Sequence, residues 1–230
     1  MLEILYEDYH LLIVNKPAAM LTQAPPGVPS LEALAKAYIK EKYSKPAGVY
    51  LGIPHRLDRP VSGVLLFARN TKAARHLALQ FQNHTVEKAY WAAVEGPVTP
   101  ADGEWEDWLR KLPEQARGEV AEPHSPGAKH ALTRYRVLEA IPAGSLLELR
   151  PQTGRMHQIR LQAALRGHPV FGDELYGSTQ SFGPPAELPR DLLIALHARS
   201  LSFVHPIKRE PMTVTAPLPE IWRRLNPEPA

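Results

Sequence analysis

The residues with the clearest chemical potential lie in one short stretch, HRLDRPVSG, at residues 55–63. It holds His55, Arg56, Asp58 and Arg59 within five positions, just before an apolar run typical of a buried strand. A carboxylate between two guanidinium groups is usually a surface ion pair, worth about 0–1 kcal/mol. At the mouth of a buried element, the same carboxylate could be held ionised for attack or proton removal. These residue types alone leave both interpretations of Asp58 open.

A second stretch, GRMHQIR at residues 154–160, combines basic and amide side chains at the start of a predicted short helix. In that position, contacts to the helix end, ion pairs or a solvated face are the usual explanation. Tyr90 lies in EKAYWAAVEG, beside Trp91 on an apolar strand. Such a tyrosine is more often part of a core than a platform on which a ligand stacks.

Several chemistries are excluded or lose their usual signals. The chain has no cysteine, so disulfides, thiolate catalysis and cysteine-ligated zinc are absent. No GxGxxG, GxxxxGK[ST], GxSxG or HExxH pattern occurs, which argues against dinucleotide binding, P-loop phosphoryl transfer, a hydrolase elbow and a zincin. Four histidines of the C-terminal half could in principle meet a metal, although histidines in His-Pro turns more often bond locally: His157, His168, His197 and His205.

The charge of the chain is small overall but unevenly distributed. The formal net charge is +3, yet residues 51–95 carry six basic and three acidic side chains, and residues 96–125 carry seven acidic and three basic ones. A basic face beside an acidic segment suits an anionic partner bound on one side. Ordinary solvated faces explain the same pattern equally well.

The order of apolar and polar residues predicts a mixture of helices and strands without regular βαβ spacing. We expect two strands around a turn near the start and helices after Ser30 and after Asn70 or Thr71. We also expect a buried strand in SGVLLFAR, two strands paired across IPAG, and a short helix ended by Gly167. Residues 96–130 look like an exposed excursion with one amphipathic piece around Trp105 and Trp108. The predicted class is α+β with a largely antiparallel sheet.

Taken together, these stretches resemble the RluA-type RNA pseudouridine synthases. The similarity covers most of the chain, from VNKP at 14–17 through HRLD, EKAYWAAVEG and GRMHQIR to LHARSLSFVHP and MTVTAPLP. The family pattern usually has Thr-Ser-Gly after HRLD and two variable residues, and here Val61 replaces the threonine. That replacement removes a hydroxyl beside the loop and keeps the carboxylate.

The resemblance implies an enzyme that isomerises uridine in RNA to pseudouridine without metal or cofactor. The base is detached from the sugar, rotated and rejoined through ring carbon 5. The implied fold is a long, curved, mostly antiparallel mixed sheet flanked by helices, with a central active-site cleft. On this pattern Asp58 is the essential aspartate, Tyr90 lies under the uracil, and Arg160 is the basic partner of the carboxylate.

The implied chemistry explains these residue types. A uridine within a duplex must be flipped out before its base can be reached, at a cost of a few kcal/mol. A tyrosine ring then offers stacking worth roughly 1–3 kcal/mol per base, and a guanidinium keeps a carboxylate anionic where burial would neutralise it. Whether Asp58 attacks the sugar or first removes a sugar proton stays open. The side chains expected to bind RNA are Lys16, His55, Arg56, Arg59, Arg155, His157 and Gln158.

We therefore expect a single catalytic domain of two joined lobes over residues 1–230, with no separate RNA-binding domain, acting on tRNA or rRNA as a monomer. The start of the chain lacks the layout of a signal peptide and no apolar run reaches membrane-spanning length, so a cytoplasmic protein without a membrane partner is expected. One alternative is a catalytically inactive RNA-binding module on the same fold. Another is a glycosidase-like hydrolase, which as a retaining enzyme would need a second carboxylate near Asp58.

Overall fold

A computed structural model describes residues 2–46 and 48–225 of the chain. The chain divides into two compact units. The first unit comprises Met1–Glu87 and Ala198–Leu218, and the second comprises Lys88–His197 and Pro219–Ala230. The first unit is therefore built from two separate pieces of sequence.

Three α-helices and ten strands are present in the described residues. The helices are α1 (Leu31–Lys42), α2 (Thr71–Gln82) and α3 (Gln158–Leu165), and short 3₁₀ segments cover Glu174–Tyr176, Pro189–Asp191 and Glu220–Leu225. The strands are β1 (Glu3–Glu7), β2 (Leu11–Lys16), β3 (Ser62–Ala68), β4 (Glu87–Glu95), β5 (Asp102–Lys111), β6 (Gly118–Val120), β7 (Lys129–Ile141), β8 (Gly144–Pro151), β9 (Leu196–Val204) and β10 (Pro211–Thr215).

In the first unit, neighbouring strands pair antiparallel. β1 pairs with β2, β2 with β3, and β10 with β9. All seven residues of β3 are buried, which is why its sequence is continuously apolar rather than alternating. Residues of these strands and of α2 form the core of the unit.

The two helices of the first unit begin where the sequence predicts. The Ser30 side chain accepts a hydrogen bond from the N–H of Ala33, and the Asn70 side chain does the same for Ala73. Each cap satisfies a backbone donor that the first turn of a helix leaves without a partner. The predicted starts of both helices are confirmed, and of the two candidates for the second cap the structure has Asn70.

Gly63 marks a close backbone approach within the first unit. Its φ is +115°, and a Cβ atom at this position would lie 2.3 Å from the carbonyl oxygen of Ala198. No other residue type can occupy that space without moving β9 away. The glycine that ends HRLDRPVSG is therefore required by packing.

In the second unit, the strand order is β4-β8-β7-β5-β6, and each of these neighbouring strands pairs antiparallel with the next. β7 and β8 pair across the predicted turn, from Thr133 opposite Pro151 to Ile141 opposite Gly144. α3 ends before Gly167, whose φ of +77° closes the helix as expected. The mixture of helices with antiparallel strands confirms the α+β prediction.

The prediction for residues 96–130 was wrong in part. Residues 102–111 form a ten-residue strand that pairs with β7 along eight positions, and Trp105 is buried. Burial alternates along this strand, since Trp105 and Leu109 are buried while Glu104 and Glu106 are exposed, so one face lies in the core and the other is exposed. The high acid content concealed that alternation.

None of the helices in the part of the chain that the structure describes is long and apolar enough to cross a membrane.

Candidate active site

The Asp58 loop is residues 55–61, which lead into β3 in the first unit. Its side chains reach different degrees of exposure: Leu57 and Val61 are buried, Asp58 and Arg59 are half-buried, and Arg56 is exposed. The Asp58 carbonyl accepts a hydrogen bond from the N–H of Val61 at 3.1 Å, which closes a tight turn around the carboxylate residue.

Lys16 anchors the C-terminal side of this loop. The register of β2 and β3 places Lys16 opposite Gly63, and its fully buried ammonium donates to three backbone carbonyls. These belong to Val61 at 2.6 Å, Pro17 at 3.0 Å and Arg59 at 3.2 Å. The structure thus corrects the expected RNA contact of Lys16, because its ammonium is enclosed and engaged within the loop.

The same ammonium acts electrostatically on Asp58. Burial lowers the pKa of Lys16 to about 7, the negative charge of Asp58 opposes that shift, and the positive charge of Arg59 adds to it. A cation therefore accompanies the Asp58 carboxylate within its own unit.

Two further contacts fix the N-terminal side of the loop. The Thr22 hydroxyl donates to the Leu57 carbonyl at 2.9 Å and accepts from the Leu57 N–H at 3.2 Å. The His55 ring stacks on Phe81 of α2, with centroids 4.9 Å apart, and its Nε2 atom accepts from the N–H of Leu66 at 3.0 Å. One nitrogen of His55 is thus used for folding, and an RNA contact by this ring stays a prediction.

The Val61 position explains why the loop tolerates the loss of the usual threonine. The side chain of Val61 is 2% exposed, and the group that holds the loop is its carbonyl oxygen, which accepts from Lys16. Any residue supplies that carbonyl. Lys16 and Thr22 thus support this loop through its backbone.

The second unit carries the other predicted residues. Tyr90 is a half-buried residue of β4 that pairs opposite Leu149 of β8, while the neighbouring Trp91 points to the other face and is buried. Tyr90 is therefore not part of a closed core. Trp91 fills that role on this strand.

Arg160 lies on α3, a helix whose first six residues are all buried. Its Nε and Nη2 atoms donate to the two carboxylate oxygens of Asp173 at 2.6 and 2.7 Å, and its guanidinium lies 5.2 Å from the centre of the Tyr176 ring. The bidentate pair uses two of the five N–H groups of the guanidinium and fixes its plane. Asp173, which sequence reasoning missed, is 1% exposed.

Gln158 has a different role from the predicted RNA contact. Its Oε1 atom accepts from the Thr153 hydroxyl and the Arg155 N–H, and its Nε2 atom donates to the Leu132 carbonyl and the Thr133 hydroxyl. With this side chain buried and bonded at both ends, direct contact with RNA is corrected to a structural role. Gln158 ties the start of α3 to β7.

His157 and Arg155, which were also expected to meet RNA, each make a hydrogen bond within the second unit. The Nδ1 atom of His157, whose φ is +51°, lies 2.9 Å from the Tyr176 hydroxyl. The Nε atom of Arg155 donates to the His130 carbonyl at 2.7 Å. RNA contacts by His157, Arg155, Arg56 and Arg59 stay predictions.

The histidines do not assemble a metal site in the described residues, where no group of three histidine, aspartate or glutamate side chains is suitably placed. His168 contacts the Glu95 carbonyl, and His205 contacts the Asp8 carboxylate and two backbone N–H groups. The bonds of His205 to the two backbone N–H groups are the local ones expected of a histidine in a turn, whereas its bond to Asp8 and the bond of His168 to Glu95 join residues far apart in the sequence.

Sequence signals for the missed residues existed. Asp173 and Tyr176 both lie in GDELYG, where a carboxylate follows the apolar run VF. A charged residue next to buried apolar residues indicates a paired charge. The partner could not be chosen from sequence, because it depends on how the turn after α3 folds back.

The chain thus carries the half-buried Asp58 on a loop anchored at both ends, the half-buried Tyr90 on a strand, and Arg160 held by the buried Asp173. Residues 10–165 match the family model described as RNA pseudouridylate synthase, which is more than half of the chain. The chain belongs to this family of RNA-modifying isomerases, and its resemblance to the RluA-type members is confirmed.

Individual relatives support the same assignment. The chain is 35% identical to the ribosomal large subunit pseudouridine synthase C of Vibrio vulnificus over 94% of this chain, and spans 66% of that relative's length. It is 36% identical to the tRNA pseudouridine synthase C of Haemophilus influenzae, with 98% of this chain and 96% of that protein covered.

Solved structures show the fold. Human RNA pseudouridylate synthase domain containing 1 superposes with a TM-score of 0.72 at 26% identity, over 95% of this chain and 84% of that one. Human RNA pseudouridylate synthase domain containing 4 superposes with a TM-score of 0.78 at 23% identity, over 97% and 93%. The predicted pseudouridine synthase fold is confirmed.

Proposed function

We propose that this protein isomerises specific uridines of structured RNA to pseudouridine, acting in the cytoplasm as a monomer and without metal or cofactor. Asp58 is the essential carboxylate, Tyr90 stacks on the flipped uracil, and Arg160 is the basic partner of Asp58. The observation that carries the proposal is the Asp58 loop, in which backbone contacts on both sides hold one half-buried carboxylate in a fixed turn.

The proposed reaction conserves mass. The bond between the sugar and uracil nitrogen 1 breaks, a bond from the same sugar carbon to uracil carbon 5 forms, and the proton leaves carbon 5 while nitrogen 1 gains one. Asp58 either attacks the sugar or removes a sugar proton, and the Tyr90 hydroxyl assists the loss of the proton from carbon 5. A carboxylate held in place before the substrate arrives lowers the cost of orientation in either route.

The substrate is tRNA or rRNA. Among the relatives, some are named for the ribosomal large subunit and others for tRNA. Both classes are therefore tested together, by mapping pseudouridines at single-nucleotide resolution in host RNA with and without the gene. One or more sites should disappear, and they should return when the wild-type gene is supplied.

The role of Asp58 is tested with purified protein and the RNA found by that mapping. Asp58→Asn should reduce pseudouridine formation to the background of the assay while leaving RNA affinity within about twofold, because removing an anion does not weaken phosphate attraction. Asp102→Asn, at the exposed start of β5, is the matched control and should keep full activity. Wild-type binding without isomerisation would favour an inactive RNA-binding module, and release of free uracil would favour a hydrolase.

A further inference from the structure

Lys88 is a cation of the second unit to which the proposed reaction gives no role. It lies two residues before Tyr90 on β4, so the two side chains share one face of the strand, about 7 Å apart along it. Both side chains are half-buried. A group bound at Lys88 would thus lie beside whatever rests on Tyr90.

Arg155 accompanies Lys88. The Lys88 ammonium donates to the carbonyl of Thr153 at 3.1 Å, and Arg155 follows Thr153 by two residues, where its Nε atom donates to the His130 carbonyl. Burial and the positive charge of Arg155 lower the pKa of Lys88 to about 8. The two side chains therefore lie close enough to repel each other.

Neither positive charge is balanced within the described residues. No carboxylate there lies within 4.0 Å of the Lys88 ammonium or the Arg155 guanidinium, and the acceptors that they use are neutral carbonyls. Half-buried charges are costly unless they are paired. An anion from outside the chain would balance both charges.

We infer that Lys88 and Arg155 form a phosphate-binding site that holds the phosphodiester backbone beside the uridine stacked on Tyr90. The identity of the ligand rests on the proposed function, and the site itself rests on the two cations. Arg155 supplies a planar donor and Lys88 a compact point charge, which is a combination suited to a phosphodiester. The site would fix the register of the RNA strand rather than its sequence.

The first experiment measures binding of a fluorescent 21-nucleotide hairpin RNA with a seven-uridine loop between 50 and 300 mM salt. Wild type is compared with Lys88→Met, Arg155→Met, the double variant and Lys40→Met, an exposed lysine of α1 that serves as control. The loss of one phosphate contact to a single strand lowers the slope of log affinity against log salt by about 0.7. We expect that decrease for each single variant, roughly 1.4 for the double variant, and no change for the control.

The second experiment uses the pH dependence of wild-type binding, so it does not rely on any variant folding. As Lys88 loses its proton above about pH 8, RNA affinity should fall, by roughly fivefold between pH 7 and 8.8, a range in which the uracil bases of the loop largely keep their own protons. Lys88→Met should show a correspondingly flatter profile, which separates Lys88 from Lys16, and Lys88→Arg should bind with little dependence on pH because its charge is permanent.

Salt slopes that are unchanged in both single variants, or a wild-type pH profile identical to that of Lys88→Met, would overturn the site. Both measurements report binding, so they do not depend on isomerisation. Isomerisation by a wild-type enzyme with unaffected slopes would leave the proposed function standing and remove the phosphate site. Altered slopes in a protein that never forms pseudouridine would support the phosphate site and remove the proposed function.

Discussion

The Asp58 loop and the start of α3 are both held by several hydrogen bonds, but these bonds are of different kinds. Lys16 and Thr22 bond to backbone atoms of the loop, at Leu57, Arg59 and Val61. Around α3 the bonds run mostly between side chains, as in the Arg160–Asp173 pair and the contacts of Gln158. Backbone-directed support tolerates changes of residue type in the supported segment, whereas support between side chains fixes both partners.

The largest expected effect is on the α3 side of this comparison. Asp173→Ala leaves the 5% exposed guanidinium of Arg160 buried without its bidentate partner. Breaking a buried ion pair in this way costs about 3–5 kcal/mol. Urea unfolding at pH 7 should show that loss, whereas Asp102→Ala at the exposed start of β5 should change the free energy of unfolding by less than about 0.5 kcal/mol. A decrease in the free energy of unfolding of less than 1 kcal/mol for Asp173→Ala would show that the α3 region does not depend on its paired side chains.

The second prediction concerns Lys16 and the pH. The pKa of Lys16 is about 7 in the folded chain and near its ordinary value of 10.5 in the unfolded chain. Below pH 7 both states carry the proton. Between the two values the unfolded chain binds more protons, so this group makes stability rise with pH.

The measurement is the free energy of unfolding of wild type and Lys16→Met at pH 6.5 and pH 9. The advantage of wild type over the variant should grow by about 2 kcal/mol between these values. Lys40→Met should have nearly the same free energy of unfolding as wild type at both pH values, because Lys40 lies exposed on α1. A constant difference between wild type and Lys16→Met would show that the ammonium is not confined by burial.

The smallest expected effect is on the loop side. Val61→Thr restores the residue usual in the family, but the loop depends on the carbonyl of position 61, which the change retains. We expect isomerisation rates within about twofold of wild type and a change in stability of about 1 kcal/mol, the cost of introducing a hydroxyl at a buried site. A tenfold gain in the isomerisation rate would show that a side-chain hydroxyl at position 61 contributes to the reaction. The Asp58 loop would then depend on a side chain as well as on its backbone.

Much of the frame that carries these regions could be predicted from sequence. The caps at Ser30 and Asn70, the buried strand that begins at Ser62 and the end of α3 follow from local rules about helix termini and apolar runs. These features depend on residues a few positions apart. Local chemistry was enough for them.

The supporting contacts could not be predicted in the same way. The reach of Lys16 to the Asp58 loop depends on the register of β2 and β3, and the Arg160–Asp173 pair depends on a turn thirteen residues further on. Lys16 and Gln158 were therefore expected to meet RNA, since polar residues in such motifs are exposed as often as they are structural. Their burial became visible only once the strands were paired.

The discontinuity of the first unit has a consequence for how the protein is made. Gly63 packs against Ala198, and β9 and β10 belong to the same unit as residues 1–87. At roughly 5–20 residues per second, the ribosome needs about 6–22 s to travel from residue 87 to residue 198. During that interval β3, buried on every residue in the finished protein, lacks the strand that covers Gly63. Until β9 is made, the first unit of the nascent chain is therefore incomplete. A translation product truncated before β9 would expose apolar surface of β3.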